Sequence, residues 1–288
     1  GYMVFIYKGI TNVIKNKILI LLMTDSISNI KTLIKKEGVE IADELKKTLE
    51  TEDDYLERFL KARNYDIWES LKMIKLHVEW YNNEILPIVD ITGTHVLGCD
   101  PFHLRQHLPC WLHRYDKNNG PVLYSNWGNA KFHELLQKSE IKSLDHVLKY
   151  LVWINEQMIK ILINQSKILN KKVSQWTFVI NAEGWNISLM SKASMEFVIK
   201  LAKISQNNYP GRINHIFIIN TPRVFSIFWD IFKNWLDPKT QEKIYIITKK
   251  ENWLPILKNY INECDLPLDF GGSNLLIPLE NKPIRICL

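Results

Sequence analysis

From Gly38 to Leu86 the apolar positions recur at helical spacing. Tyr55 with Phe59, and Leu56 with Leu60, step by four behind Thr51 and Asp54, a pair placed as in a capping box. A helix is predicted to open at Thr51 and to end near Asn64. Asp66 is positioned to cap another, in which Ile67, Leu71, Ile74, Val78, Tyr81 and Ile85 form one apolar stripe that Pro87 terminates. Together these segments read as a small helical bundle whose apolar faces dock on the rest of the chain.

After Asp90 the pattern changes. Cys110–Tyr115 and Val122–Trp127 read as strands around Asp116-Lys117-Asn118-Asn119-Gly120, a polar turn of the composition that joins antiparallel strands. A long helix is expected over Leu144–Leu169. Strands over Trp176–Ile180, Ile213–Ile219 and Ile244–Ile247 then alternate with helix-length segments, Leu189–Gln206 and Val224–Trp235, as a mostly parallel sheet requires. The fold class is α/β. The continuous run Ile216-Phe217-Ile218-Ile219 suits a central strand covered on both faces.

One segment carries more apolar surface than a packing helix needs. Between Thr221 and Pro238 lie Val224, Phe225, Ile227, Phe228, Trp229, Ile231, Phe232, Trp235 and Leu236, with Arg223, Asp230, Lys233 and Asp237 as the charged residues. Such a helix is either fully buried or faces core on one side and another apolar partner on the other. The Leu144–Leu169 helix is also broad-faced, through Leu144, Val147, Leu148, Leu151, Ile154, Met158, Ile161 and Leu162. Several such helices over a single sheet are what a chain needs to line a cavity for a hydrophobic ligand. Periodicity leaves that reading and a generous core both open.

Composition narrows the classes. The 288 residues accommodate one large and one small domain, and a 46% hydrophobic content supports a sizeable core. A net charge of +6, from 37 basic and 31 acidic residues, suits attraction to anionic membranes or metabolites, and no basic block points to nucleic acid. Four dispersed cysteines without a CxxC pair fit a reducing, cytoplasmic compartment. The apolar run Ile18–Met23 falls far short of the ~20 residues that span a bilayer. Lys15 and Lys17 precede it, but no small-residue cleavage site comes after it. Met23 is the expected start, with residues 1–22 an extension outside the fold.

Four ordered stretches resemble a known family. Glu57-Arg58-Phe59-Leu60-Lys61-Ala62-Arg63-Asn64-Tyr65-Asp66 resembles the arginine-rich motif of the CRAL-TRIO N-terminal bundle, and Ala182-Glu183-Gly184-Trp185 resembles the loop after its central strand. Tyr209-Pro210 with Ile218-Ile219-Asn220-Thr221-Pro222 is similar to the next strand and its exit, and Leu266-Pro267-Leu268-Asp269-Phe270-Gly271-Gly272 to the closing motif. The resemblance implies an N-terminal helical bundle over 37–90 and a CRAL-TRIO lipid-binding domain over 91–275 with a mostly parallel sheet floor, leaving 276–288 as a tail. It also implies a mobile gate helix at about Val224–Trp235, the segment singled out above. Leu112, Leu123, Trp176, Phe178, Val224, Phe225, Ile227, Phe228, Ile231, Phe232 and Trp235 are the expected pocket and gate residues. A gate answers a physical need. At about 0.8 kcal/mol per CH₂, a two-chain lipid with roughly 30 such groups resists entering water by about 25 kcal/mol, so a carrier must open against a membrane.

The same resemblance implies a lipid ligand and no other cofactor. In phosphatidylinositol-binding members the phosphate is held at positions matching Arg63, Arg212, Thr240 and Lys243; in tocopherol-transferring members a basic cluster matches Arg63, Arg212, Lys239 and Lys243. These are suitable donors for an anion. Gly211 stands where inositol-binding members carry Glu, and Asn64 where a Lys is common. Leu112, Leu123, Trp176 and Phe178 occupy positions where phosphatidylcholine binding calls for hydroxyls. The expected partners are therefore phosphatidylinositol or a more apolar, tocopherol-like isoprenoid, with transient contact to an anionic membrane and no nucleic acid.

Rival readings are weaker. Cys99, His103, His107 and Cys110 have a CxxxHxxxHxxC spacing, but Pro101 and Pro109 interrupt it and no nearby carboxylate completes a hydrolytic centre, so no metal is assigned. No GxSxG elbow or Gly-rich phosphate loop is present, and a non-enzymatic role is expected. A lipid sensor that recruits a partner is the alternative to a carrier. A continuation of the gene past Leu288 into another domain is a further expectation.

Overall fold

A computed structural model describes residues 23–41, 50–132, 134–135, 140–141 and 143–273. The expected extension over 1–22 and tail over 276–288 lie outside these residues. The chain divides into two compact units, Gly1–Asn83 and Glu84–Leu288.

In the first unit, helix α1 (23–36) packs Ile30 and Ile34 against α2 (Glu52–Ala62) and α3 (Ile67–Trp80). Thr51 Oγ1 accepts from the Asp54 amide at 3.2 Å, and Asp54 Oδ2 accepts from the Thr51 amide at 3.0 Å, the reciprocal bonds that fix the start of α2. Asp66 Oδ1 accepts from the Glu69 amide to cap α3. Tyr55, Leu56, Phe59 and Leu60 meet Leu71, Ile74 and Val78 in a buried cluster. The α3 stripe runs on to Tyr81 and Ile85 through a π-helical turn, Tyr81–Ile85. The contribution of α1 to this core had no counterpart in the sequence reading.

The second unit is built on a five-stranded sheet in the order β1-β2-β3-β4-β5: Cys110–Tyr115, Pro121–Asn126, Trp176–Asn181, Ile213–Thr221 and Ile244–Thr248. β1 and β2 are antiparallel, and the remaining pairs are parallel. Two short helices, α4 (Gly93–Leu97) and α5 (Pro101–His107), precede the sheet. The strands are then joined through α6 (Leu144–Leu169), α7 (Lys192–Asn208), and α8 (Phe225–Phe232) with α9 (Pro238–Gln241); α10 (Trp253–Tyr260) comes after β5.

This order has a steric consequence. Parallel crossovers are almost always right-handed, so strands laid down in sequence order place all their connecting helices on one face. The cross-strand rows bear this out. Tyr124, Val179, Phe217 and Tyr245 are in register and belong to the face that packs on α10, together with Leu257, Ile261, Leu266 and Phe270. The alternate row, Leu123, Phe178, Ile216 and Ile244, faces the crossover helices. Asp116 anchors the β1–β2 turn: Oδ1 accepts from the amides of Asn118 and Gly120, and Oδ2 from Thr177 Oγ1 and Asn214 Nδ2.

Candidate functional site

Crowding three crossover helices over one sheet face leaves a cavity between them. About 180 Å³ of it is open to the centre of a water-sized sphere, where a single water needs about 10–15 Å³ on that measure. Its floor is Leu123, Phe178, Ile180, Ile216, Ile218 and Ile244. Leu151 and Ile154 of α6, Val198, Leu201 and Ala202 of α7, and Phe228, Trp229 and Phe232 of α8 form much of the wall. Among the described residues no Asp, Glu, Lys, Arg or His lines it.

Helix α8 is apolar on two sides. Phe225, Phe228 and Phe232 are buried; Phe228 stacks on Phe232 with centroids 5.2 Å apart, and Trp185 packs on Phe225 and Phe228 at 5.3 and 5.5 Å. Val224 is partly buried in the same cluster. On the outer side Ile227, Ile231 and Trp235 are respectively 49%, 45% and 44% exposed and recur every fourth residue. The segment expected as one helix over Val224–Trp235 is α-helical to Phe232 and then tightens into a 3-10 turn, Lys233–Trp235. Two glutamines hold this end. Gln206 Nε2 donates to the Trp235 carbonyl while its Oε1 accepts from the Asp237 amide, and Gln241 Nε2 donates to the Lys233 and Leu236 carbonyls.

Of the expected pocket and gate residues, Leu123, Phe178, Phe228 and Phe232 reach the cavity wall. Leu112 and Trp176 are buried but lie outside the lining: Leu112 is in register with Leu123, and Trp176 is covered by the Tyr209 ring at 6.0 Å. Phe225 sits deeper, against Trp185.

The expected phosphate residues fall in different settings. Arg63 closes α2 in the first unit, where its guanidinium donates to the Ala62 carbonyl. Arg212 is buried and donates to the Ser174 carbonyl at 3.1 Å. Lys243 is partly buried; burial pulls its pKa down, and Nζ donates to the Ile213 carbonyl at 2.6 Å. Lys239 is exposed on α9, beside Thr240. Thr240 reaches the cavity wall, with its hydroxyl donating to Asp237 Oδ2. Gly211 has φ +71°, a left-handed conformation that a side chain at this position would strain, which fits its being Gly rather than Glu.

Two features of α6 escaped the sequence reading. Glu156 is buried and accepts from the Tyr209 hydroxyl at 2.5 Å; burial pushes its pKa up to about 7, against the opposing pull of Tyr209 and Arg212. Asn155 is 7% exposed and lies on the cavity wall. Its position four residues after Leu151, inside the apolar stripe, was the available signal. The Cys99, His103, His107 and Cys110 group forms no metal-binding cluster among the described residues; Cys110 lies on the cavity wall.

A family model described as CRAL/TRIO domain matches residues 105–272. The phosphatidylinositol/phosphatidylcholine transfer protein SFH7 of Arabidopsis thaliana is 30% identical over 220 residues, covering 75% of this chain and 38% of its own length. Protein real-time of Aedes aegypti is 25% identical over 219 residues, covering 75% of this chain and 32% of its own. The chain thus spans well under half the length of these relatives. The crystal structure of Sfh5 shares the fold, with a TM-score of 0.63 at 16% identity, covering 92% of this chain and 88% of that one.

Proposed function

Since the chain belongs to the CRAL/TRIO domain family, we propose that it binds a lipid in the cavity beneath α8 and transfers it between membranes or presents it there. The observation that carries this reading is the wall between sheet and helices, uncharged among the described residues, which suits a hydrophobic body. The transfer proteins among its relatives support the same reading. Helix α8 is the gate. Phe228 and Phe232 close the cavity, and Ile227, Ile231 and Trp235 give the helix an apolar outer side to set against a bilayer. No helix among the described residues is long and apolar enough to cross a membrane.

The basic residues serve a phosphate. Thr240 reaches the wall, Lys239 precedes it on α9 and Lys243 comes three residues later, so a phosphoinositide headgroup is received beside the cavity while the cargo body lies inside. Arg212 completes the set within this unit. Lys239 is exposed on α9 and is the member of this set that is placed against the membrane.

Mass spectrometry of lipid carried through purification, with transfer of labelled lipid between liposomes, tests the carrier. Lipid-free protein that moves none would end the proposal. Lys239→Ala is expected to weaken binding to phosphoinositide vesicles by roughly fivefold, since one surface basic residue contributes about 1 kcal/mol there. Unchanged binding would remove the headgroup role.

A further inference from the structure

Helix α6 ends in a turn that holds apolar side chains in solvent. Ile168 is 56% and Leu169 37% exposed, and Ile168 lies about 200° around the helix from the buried Ser166. Asn170 closes the helix in the left-handed region at φ +47°, and the Lys171 amide donates to the Ser166 carbonyl at 3.1 Å. Ser166 also fixes the chain beyond the turn: its Oγ donates to the Val173 carbonyl at 3.1 Å and accepts from the Val173 amide at 2.9 Å. Single apolar residues on a surface are ordinary. Here an adjacent pair is presented by a turn that is pinned on both sides.

The charge around the pair has one sign. Lys167, Lys171 and Lys172 are all exposed, and from Gln157 to Ala182 the sequence contains no Asp or Glu. Among the described residues no ion pair engages Lys167 or Lys171, whereas Lys160, two turns earlier, is paired with Asp90. The turn also belongs to the end of the sheet that carries α9. The Ser174 carbonyl accepts from Arg212, Gln175 Nε2 donates to the Gly211 and Ile213 carbonyls, and Lys243 Nζ donates to the same Ile213 carbonyl. These bonds tie together the segments that lead into β3, β4 and β5. Lys171 and Lys172, just ahead of Ser174, therefore share one end of this unit with Lys239, one turn ahead of Lys243.

We propose that the turn over Lys167–Lys172 is a fixed point of attachment to an anionic bilayer, with Ile168 and Leu169 entering the headgroup boundary between the lysines. Lysine stems can lie along such a boundary while their ammonium groups meet lipid phosphate and carboxylate. A protein with an acidic surface would pair with the lysines but would need a pocket shaped for a protruding aliphatic tip; a bilayer supplies negative charge and apolar depth together. The proposal rests on the carrier reading for its choice of partner, and it adds an anchor that keeps its place while α8 moves.

Co-sedimentation of the purified full chain with vesicles of phosphatidylcholine and phosphatidylserine tests the anchor. Ile168→Ser combined with Leu169→Ser is expected to lower vesicle affinity about tenfold, through the apolar area no longer taken from water. Lys167→Ala combined with Lys171→Ala is expected to lower it about twentyfold, two surface lysines contributing about fivefold each. All four side chains lie at the surface, so both variants should melt as the wild type does. Undiminished binding by the Ile168 and Leu169 variant would overturn the proposal, and a loss confined to the lysine variant would favour an acidic protein surface instead. A wild type that ignores these vesicles would overturn the attachment even if lipid is found by mass spectrometry in the purified protein, a result that leaves the carrier standing. Binding that needs Ile168 and Leu169 in a protein that carries no lipid would uphold the attachment and end the carrier.

Discussion

The Tyr209 hydroxyl donates to Glu156 Oε1 at 2.5 Å, joining the last turn of α7 to the middle of α6 in the interior. Glu156 holds its proton to about pH 7 in the folded protein, against an ordinary value of 4.5, because burial disfavours the carboxylate. Between these two values the folded state binds more protons than the unfolded one. Stability from this residue is therefore complete below about pH 4.5 and declines as pH rises to about 7. Glu156→Gln keeps an acceptor for Tyr209 but cannot ionise. The difference in unfolding free energy, variant minus wild type, should grow by up to about 3 kcal/mol from pH 4.5 to pH 7.5. Urea denaturation at several pH values measures it, and a flat difference contradicts the assignment.

Asp116 gathers four donors from three places: its own turn, Thr177 on β3 and Asn214 on β4. Asp116→Asn replaces one acceptor oxygen with a donor that faces existing donors. A loss of about 2 kcal/mol is expected in chemical denaturation, with Asp116→Ala costing more because every donor loses its partner.

Gly128 adjoins Trp127 of the cavity wall and lies against the Ala182–Trp185 loop. A Cβ there would stand 1.6 Å from the Glu183 carbonyl oxygen, so the two backbones pass too closely for any side chain. Gly128→Ala is expected to cost about 3 kcal/mol, visible as a lowered melting temperature. Because the displaced loop carries Trp185, which packs on Phe225 and Phe228, the variant should also loosen α8.

Gln206 and Gln241 hold the C-terminal end of α8 through side-chain bonds to three carbonyls and one amide. Replacing both by Ala removes these restraints from the proposed gate and leaves the apolar side chains of α8 in place. Lipid transfer between liposomes should quicken by about threefold to tenfold if these bonds are released on opening. An unaltered or slower rate would place the opening motion elsewhere.

The sheet and its helices were legible because the short apolar runs of β3, β4 and β5, and the stripes along α2, α3 and α6, report burial directly. Parity along a strand assigns a face and not a distance from its end. Trp176 shares the face of Phe178 and Ile180 yet lies under Tyr209, beyond the cavity. Residue type likewise does not reveal what a cation faces: Arg212 and Lys243 meet the Ser174 and Ile213 carbonyls, partners chosen by the fold and invisible in the chain. Helix α8 was recognised by its excess of aromatic residues, whereas its glutamine restraints come from α7 and α9 and depend on tertiary placement.

A cavity wall free of charge gives its occupant no strong electrostatic attraction for dissolved ions to screen, while an exposed lysine on α9 acts across a layer about 8 Å thick at physiological ionic strength. In the proposed carrier, selection of cargo and attachment to a charged surface thus respond to different properties of the medium. Raising salt should detach the protein from anionic vesicles without changing which lipid it keeps.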